Sequence, residues 1–127
     1  MKDPISTLMT RPVCSVDLDD TVAQVEDVLS RNKLSWAPVL EAGRLVIGVI
    51  SAADLLQFHA QGRDRSAVRA WQLCTYKPIT VDQATPLADV ARAMVEQRIH
   101  HVVVMNGEII AGVVSSLDFV RALIDRP

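Results

Sequence analysis

A seven-residue stretch that occurs twice constrains this chain more than any other feature. Gly48-Val49-Ile50-Ser51-Ala52-Ala53-Asp54 returns as Gly112-Val113-Val114-Ser115-Ser116-Leu117-Asp118. In each copy an apolar strand ends, a glycine marks a place where side-chain bulk is unwelcome, and Ser-x-x-Asp opens a helix. That pattern is a capping box: the serine oxygen accepts an orphan backbone N–H, and the carboxylate three residues on reaches back to the cap. Capping alone accounts for either copy and needs no ligand.

The likeness extends through the chain. Thr10, Val16, Asp17, Ala23, Val25 and Val39 meet Thr75, Val81, Asp82, Ala88, Val90 and Val104 at an offset of 65 residues. After an insertion at Ala42 the offset becomes 64, and Gly43 meets Gly107 before the two motifs align. Such self-similarity means two copies of one supersecondary unit. Each copy reads as β-α-β-β-α. Residues 13–16 and 79–81 form short extended segments, each preceded by a proline. Asp20 caps the first helix and Thr85 the second, with Pro86 at the first helical position. Val22, Val25, Val28 and Leu29, and then Leu87, Val90, Ala91, Met94 and Val95, recur at helical spacing and mark the core faces. Strands over 36–40 and 101–105 turn at Gly43 and Gly107 into strands over 45–50 and 109–114. Helices over 52–59 and 116–124 close the copies. The fold class is α+β, with two β-α-β-β-α repeats packed about a pseudo-twofold axis, because half a small domain cannot bury enough surface alone. Residues 1–60 form the first repeat, 61–73 a linker and 74–127 the second repeat. Within the linker, 66–73 reads as a capped helical turn with Trp71 as an anchor packed on the core.

The residue inventory narrows the function. A formal net charge of -2 provides no basic field for nucleic acid. The two cysteines, Cys14 and Cys74, occupy non-equivalent positions, so reduced thiols and a cytoplasmic protein are expected. No signal-like or membrane-spanning apolar run is present, so no membrane insertion is expected. No nucleophile, base and orienter stand at a readable spacing, so the protein is not expected to be an enzyme. His59, His100, His101 and the cysteines follow no zinc-ligand spacing, so no metal is expected. His100 and His101 are neighbours on a predicted strand, point to opposite faces and cannot chelate together; one of them faces the interior. What remains is the pair of helix N-termini. Each combines free N–H donors, a cap hydroxyl and an aspartate able to hold a vicinal diol, a combination suited to a nucleotide.

These residues resemble the CBS domain, in the tandem arrangement called a Bateman module. The resemblance rests on the doubled Gly-h-h-Ser-x-x-Asp (h, apolar), on Ala37-Pro38-Val39 and Val102-Val103-Val104, on the Thr85-Pro86-Leu87 helix start and on Leu8-Met9-Thr10-Arg11-Pro12. It implies a regulatory module that senses an adenosine-containing ligand, of the AMP, ADP, ATP or S-adenosylmethionine class, in clefts between the repeats. Neither a required cofactor nor nucleic acid is implied. Carried over by position, Ser51 and Asp54 serve one cleft with Ile79 lining it, and Ser115 and Asp118 serve the other with Cys14. Ser35 and His100 stand where a phosphate contact is often supplied, and Ala37 and Val102 lie beside them on the strands. The resemblance also implies a homodimer, with the regulated protein a separate chain. The alternative is a dimerisation or partner-docking scaffold with no physiological nucleotide. Ser35-Trp36 replaces a basic or histidine pair, Val103 replaces a second proline, and Ala53 and Leu117 place no cation beside the aspartates. The resulting thin positive charge favours a monophosphate, a nucleoside-like ligand or S-adenosylmethionine over a triphosphate.

Overall fold

Runs of β-branched residues bounded by glycine and polar turns set the strands, and 3.6-residue periodicity sets the helices between them. The computed structural model describes residues 1–125. The chain divides into two units. The early unit is Cys14–Pro78, and the late unit is Met1–Val13 together with the chain from Ile79 onward. The early unit contains β1 (Val16–Asp17), α1 (Val22–Asn32), β2 (Trp36–Glu41), β3 (Leu45–Ser51), α2 (Ala52–Ala60), α3 (Ala70–Leu73) and β4 (Thr75–Tyr76). The late unit contains a 3-10 turn (Ile5–Thr7), β5 (Thr80–Asp82), α4 (Leu87–Gln97), β6 (His101–Asn106), β7 (Ile109–Ser115) and α5 (Ser116–Asp125).

The two sheets share one register. β1 runs parallel to β2 with Val16 opposite Val39, and β5 runs parallel to β6 with Val81 opposite Val104. The antiparallel pairs β2–β3 and β6–β7 each shift register at the matching place, between Val39 and Leu40 and between Val104 and Met105. Inward-facing side chains then fill a core under each sheet. Val22, Val25, Leu29, Ala37, Val39, Ile50, Leu55 and Phe58 pack in the early unit. Leu87, Val90, Met94, Val102, Val104 and Val114 pack in the late one, together with Ile5 and Met9 from the N-terminal segment.

Those two N-terminal residues explain why the packing units differ from the sequence division at residues 60 and 74. Ile5 is fully buried in the late core, and Thr10 bridges Val113 on the edge of β7. β4 does the same for the early sheet, pairing Thr75 with Val49 and Tyr76 with Gly48. Thr10 and Thr75 are the repeat-equivalent residues that led the alignment, and both are edge residues. The motif glycines follow from this contact. A Cβ on Gly48 would lie 2.4 Å from the Thr75 carbonyl oxygen, and one on Gly112 would lie 2.7 Å from Met9 Sδ. The glycine of the motif is required by the strand edge that crosses it.

Several local expectations are corrected. Thr21, not Asp20, caps α1: its side chain accepts from the Gln24 amide, while the Gln24 side chain takes the Thr21 amide. The Asp20 carboxylate is spent on the Asp17 amide. α4 begins at Leu87 with Pro86 as its cap, so Thr85 is not the cap, and no side chain bonds there. Of the first extended segment, 13–16, only Val16 is strand, as the start of β1. Trp71 is 45% exposed rather than packed, because Val68 and Ala70 occupy the core beneath α3. The second repeat's expected last residues, 126 and 127, lie outside the described residues.

Candidate ligand-binding site

Strand register places each motif beside the start of the neighbouring strand. Ser51 pairs with Trp36 across β2–β3, and Ser115 pairs with His101 across β6–β7. The next amide, the first of the helix, is taken by the residue just ahead of that strand. Ala52 N–H donates to the Ser35 carbonyl at 2.8 Å, and Ser116 N–H donates to the His100 carbonyl at 2.9 Å. The structure therefore assembles Ser35, Ser51 and Asp54 in the early unit and His100, Ser115 and Asp118 in the late unit.

The capping boxes form in both units, with one difference. In the early motif the Ser51 amide donates to Asp54 Oδ2 at 2.8 Å, and Ser51 Oγ accepts from the Asp54 amide at 3.3 Å. The late motif repeats this at 2.7 and 3.3 Å between Ser115 and Asp118. Ser51 Oγ additionally donates to Asp54 Oδ2 at 3.0 Å. Among the described residues Ser115 Oγ makes no corresponding bond to Asp118, so its hydroxyl proton is not spent on the cap. In both motifs only Oδ2 of the aspartate serves the cap, leaving Oδ1 outside it. The first and third helical amides are occupied, so each helix start keeps the second, of Ala53 or Leu117, for an incoming acceptor.

The remaining sequence candidates fall into two groups. Ser35, His100 and Ile79 are exposed, Ile79 at the start of the late unit. Cys14 is half-buried at the start of the early unit, and both cysteines are free thiols. Ala37 and Val102 are each 1% exposed and belong to the cores of their own units. Their side chains are structural, which leaves only their backbone groups to meet a ligand.

Two residues near the motifs carry chemistry that the sequence reading did not select. His101 is half-buried beside Ser115. Burial pulls its imidazole pKa below the ordinary 6.5; His100 pulls the same way, and the Asp118 carboxylate opposes them. The repeat alignment could have marked it, since it occupies the place of Trp36. Cys74 is buried, and that burial pushes its thiol pKa up; a Tyr76 hydrogen bond opposes the shift and Asp54 adds a smaller upward push. No sequence spacing links Cys74 to Asp54, because the proximity comes from the crossing edge at β4. Among the described residues no group of three or more His, Cys, Asp or Glu side chains could hold a metal ion. Among the same residues, no helix is long and apolar enough to cross a membrane.

Comparison with known proteins agrees with this architecture. The chain is 24% identical over 139 residues to an uncharacterized protein of Methanocaldococcus jannaschii, covering 98% of this chain and 33% of that protein. It is 31% identical over 90 residues to inosine-5'-monophosphate dehydrogenase of Halobacterium salinarum, covering 71% of this chain and 17% of the relative. It thus spans a third or less of the length of these curated relatives. Among solved structures, a CBS domain protein from Pyrobaculum aerophilum complexed with AMP superposes with a TM-score of 0.84 at 30% identity, covering 95% of both chains. The CBS domain pair of protein MJ0100, in complex with 5'-methylthioadenosine and S-adenosyl-L-methionine, gives a TM-score of 0.86 at 18% identity, covering 97% of both chains. The CBS domain model matches residues 5–60 and 69–125, so the chain belongs to the CBS domain family and carries two copies of that domain.

Proposed function

We propose that this protein is a regulatory module that binds an adenosine-containing ligand at its Ser-x-x-Asp motifs. The observation that carries the reading is the same in both motifs: the aspartate serves its cap through Oδ2 alone and keeps Oδ1 for another donor. A carboxylate in that position can accept from the two hydroxyls of a ribose, as carboxylates do in other nucleotide sites. The free second amide of the helix and the positive end of its dipole suit a phosphate or carboxylate on the same ligand. The AMP complex of the Pyrobaculum aerophilum protein and the S-adenosyl-L-methionine complex of MJ0100 support this ligand class. Ala53 and Leu117 place no cation beside the motif aspartates, which favours AMP or S-adenosylmethionine over ATP. No required cofactor and no catalytic role belong to the proposal.

A thermal-shift series with AMP, ADP, ATP and S-adenosylmethionine tests it, because a ligand that binds only the folded state raises Tm with its free concentration. AMP or S-adenosylmethionine should give the largest rise. No shift with any of the four at millimolar concentration would contradict the reading.

One observation favours assembly as a second role. α5 buries none of its residues fully and exposes Leu117, Val120, Leu123 and Ile124 at 48–74%. Such an apolar face suits a partner surface, and a homodimer is the proposed occupant. Sedimentation at micromolar concentration should give a dimer mass, and a monomer throughout would remove this role.

A further inference from the structure

The helix pair α4 and α5 differs from its repeat equivalent, α1 and α2, in one consistent way. On the late helices Val95, Leu117, Val120, Leu123 and Ile124 are 48–77% exposed. Their equivalents on the early helices are Ser30, Ala53, Leu56, His59 and Ala60, so large aliphatic side chains stand where, Leu56 apart, the early unit has small or polar ones. Glu26 on α1 meets His59 on α2 at 2.7 Å, whereas Ala91 and Leu123 hold those two places in the late unit. An open groove of about 320 Å³, lined in part by Met94, Val95 and Ile99, reaches the same late face at Val95. We propose that this protein assembles through its late face alone: α4 and α5 of one copy pack on α4 and α5 of a second copy about a two-fold axis, and α1 and α2 take no part. This rests on the assembly reading above and assigns the face on each copy that makes the contact.

Three ways of joining two copies compete, and the side chains separate them. A stable interface takes about 800 Å² from each partner and has an apolar centre ringed by polar groups. The late face supplies such a centre, because Leu117, Val120 and Ile124 recur at helical spacing along one stripe of α5 and Val95 stands on α4. A two-fold contact also brings each charge toward its own copy, so the face must be close to neutral. Asp89 pairs with Arg92 at 3.4 Å, and Glu96 and Asp125 offset Arg98 and Arg121. Late face against early face would press the apolar stripe onto Glu26, His59 and Arg65, which would lose water without gaining a partner. That contact is also head-to-tail, which leads to open chains unless the rotation closes. Early face against early face offers, among the described residues of α1 and α2, only Leu56 as an exposed large aliphatic side chain.

Sedimentation of the full chain over a micromolar concentration series tests this, on the wild type and on two variants. The first carries Leu123→Glu together with Ile124→Glu, both on the exposed side of α5, and the second carries Leu56→Glu at the equivalent face of α2. The α5 variant should raise the dimer dissociation constant at least about a hundredfold, the scale of losing apolar anchors from an interface centre. Leu56→Glu should leave it within about threefold of the wild type, since rim and non-interface positions carry little binding energy. Circular dichroism of each variant reports its fold. If the α5 variant does not fold, Val95→Glu on α4 replaces it and should weaken the dimer in the same direction. A dimer that survives the late-face variant, or that Leu56→Glu weakens equally, overturns the inference and leaves a homodimer standing. Growth beyond the dimer with concentration overturns it as well, because a closed two-fold contact stops at two copies. A wild type that is monomeric throughout removes both this inference and the assembly role.

Discussion

α2 and α5 leave the two motifs through the same Ser-x-x-Asp cap and then pack differently. α2 turns Leu55 and Phe58 into the early core, 7% and 1% exposed. At the repeat-equivalent positions α5 carries a half-buried Phe119 and Ala122, and none of its side chains is fully buried. α2 is also joined to α1, where Glu26 meets His59 at 2.7 Å; the same carboxylate meets Arg65, beyond the end of α2, at 3.4 Å. A cap thus determines where a helix starts but not how tightly it is held. The late unit makes up its core from elsewhere, drawing in Ile5 and Met9.

The comparison breaks most easily at the cores. Phe58→Ala should cost about 3–5 kcal/mol, the usual loss for a buried aromatic, whereas Phe119→Ala should cost about half as much. Denaturant unfolding of the two variants measures this, and equal losses would mean that α5 is held as firmly as α2. The motif glycines come next. Gly48→Ala forces a Cβ against a backbone oxygen and should cost about 3 kcal/mol. Gly112→Ala meets the flexible Met9 side chain and should cost about 1 kcal/mol, with equality again contradicting the asymmetry.

The smallest effect is electrostatic. His101 has a lowered folded-state pKa, so the unfolded chain binds its proton more readily. The stability this residue contributes is present above about pH 6.5 and is lost as pH falls toward the folded-state value. The ligand-free Tm should decline on acidification below that point, and His101→Gln should make the decline shallower. An unchanged profile in the variant would place the acid sensitivity on other groups.

Most of the architecture was legible because it is local and repeated. Hydrophobic period located β2, β3, β6 and β7 to within a residue, and α2 and α5 to within one residue at their ends. The motif serines and aspartates were found because a capping box has a fixed four-residue span. What escaped depends on distant parts of the chain. The pairing of Thr10 with Val113 and of Thr75 with Val49 joins segments more than twenty residues apart, and no local pattern announces it. The same crossing brought Cys74 toward Asp54 and assigned Met1–Val13 to the late unit. Trp71 was misplaced because small neighbours, Val68 and Ala70, filled the space a tryptophan was expected to take. The cap of α1 moved by one residue because Thr21 and Asp20 are both good capping residues, and only the Gln24 partner decides between them.

The central claim is that Asp54 and Asp118 do more than cap. Calorimetric titration of AMP into the wild type and into the Asp54→Asn, Asp118→Asn double variant tests it most directly, read beside the ligand-free Tm of each. Asparagine keeps a capping oxygen, so the variant should lose at most about 1 kcal/mol of stability per site. The account predicts that AMP affinity falls at least about tenfold while the ligand-free fold persists, a loss of about 1.4 kcal/mol in binding. Unchanged AMP affinity in the double variant would contradict it and return both aspartates to capping alone.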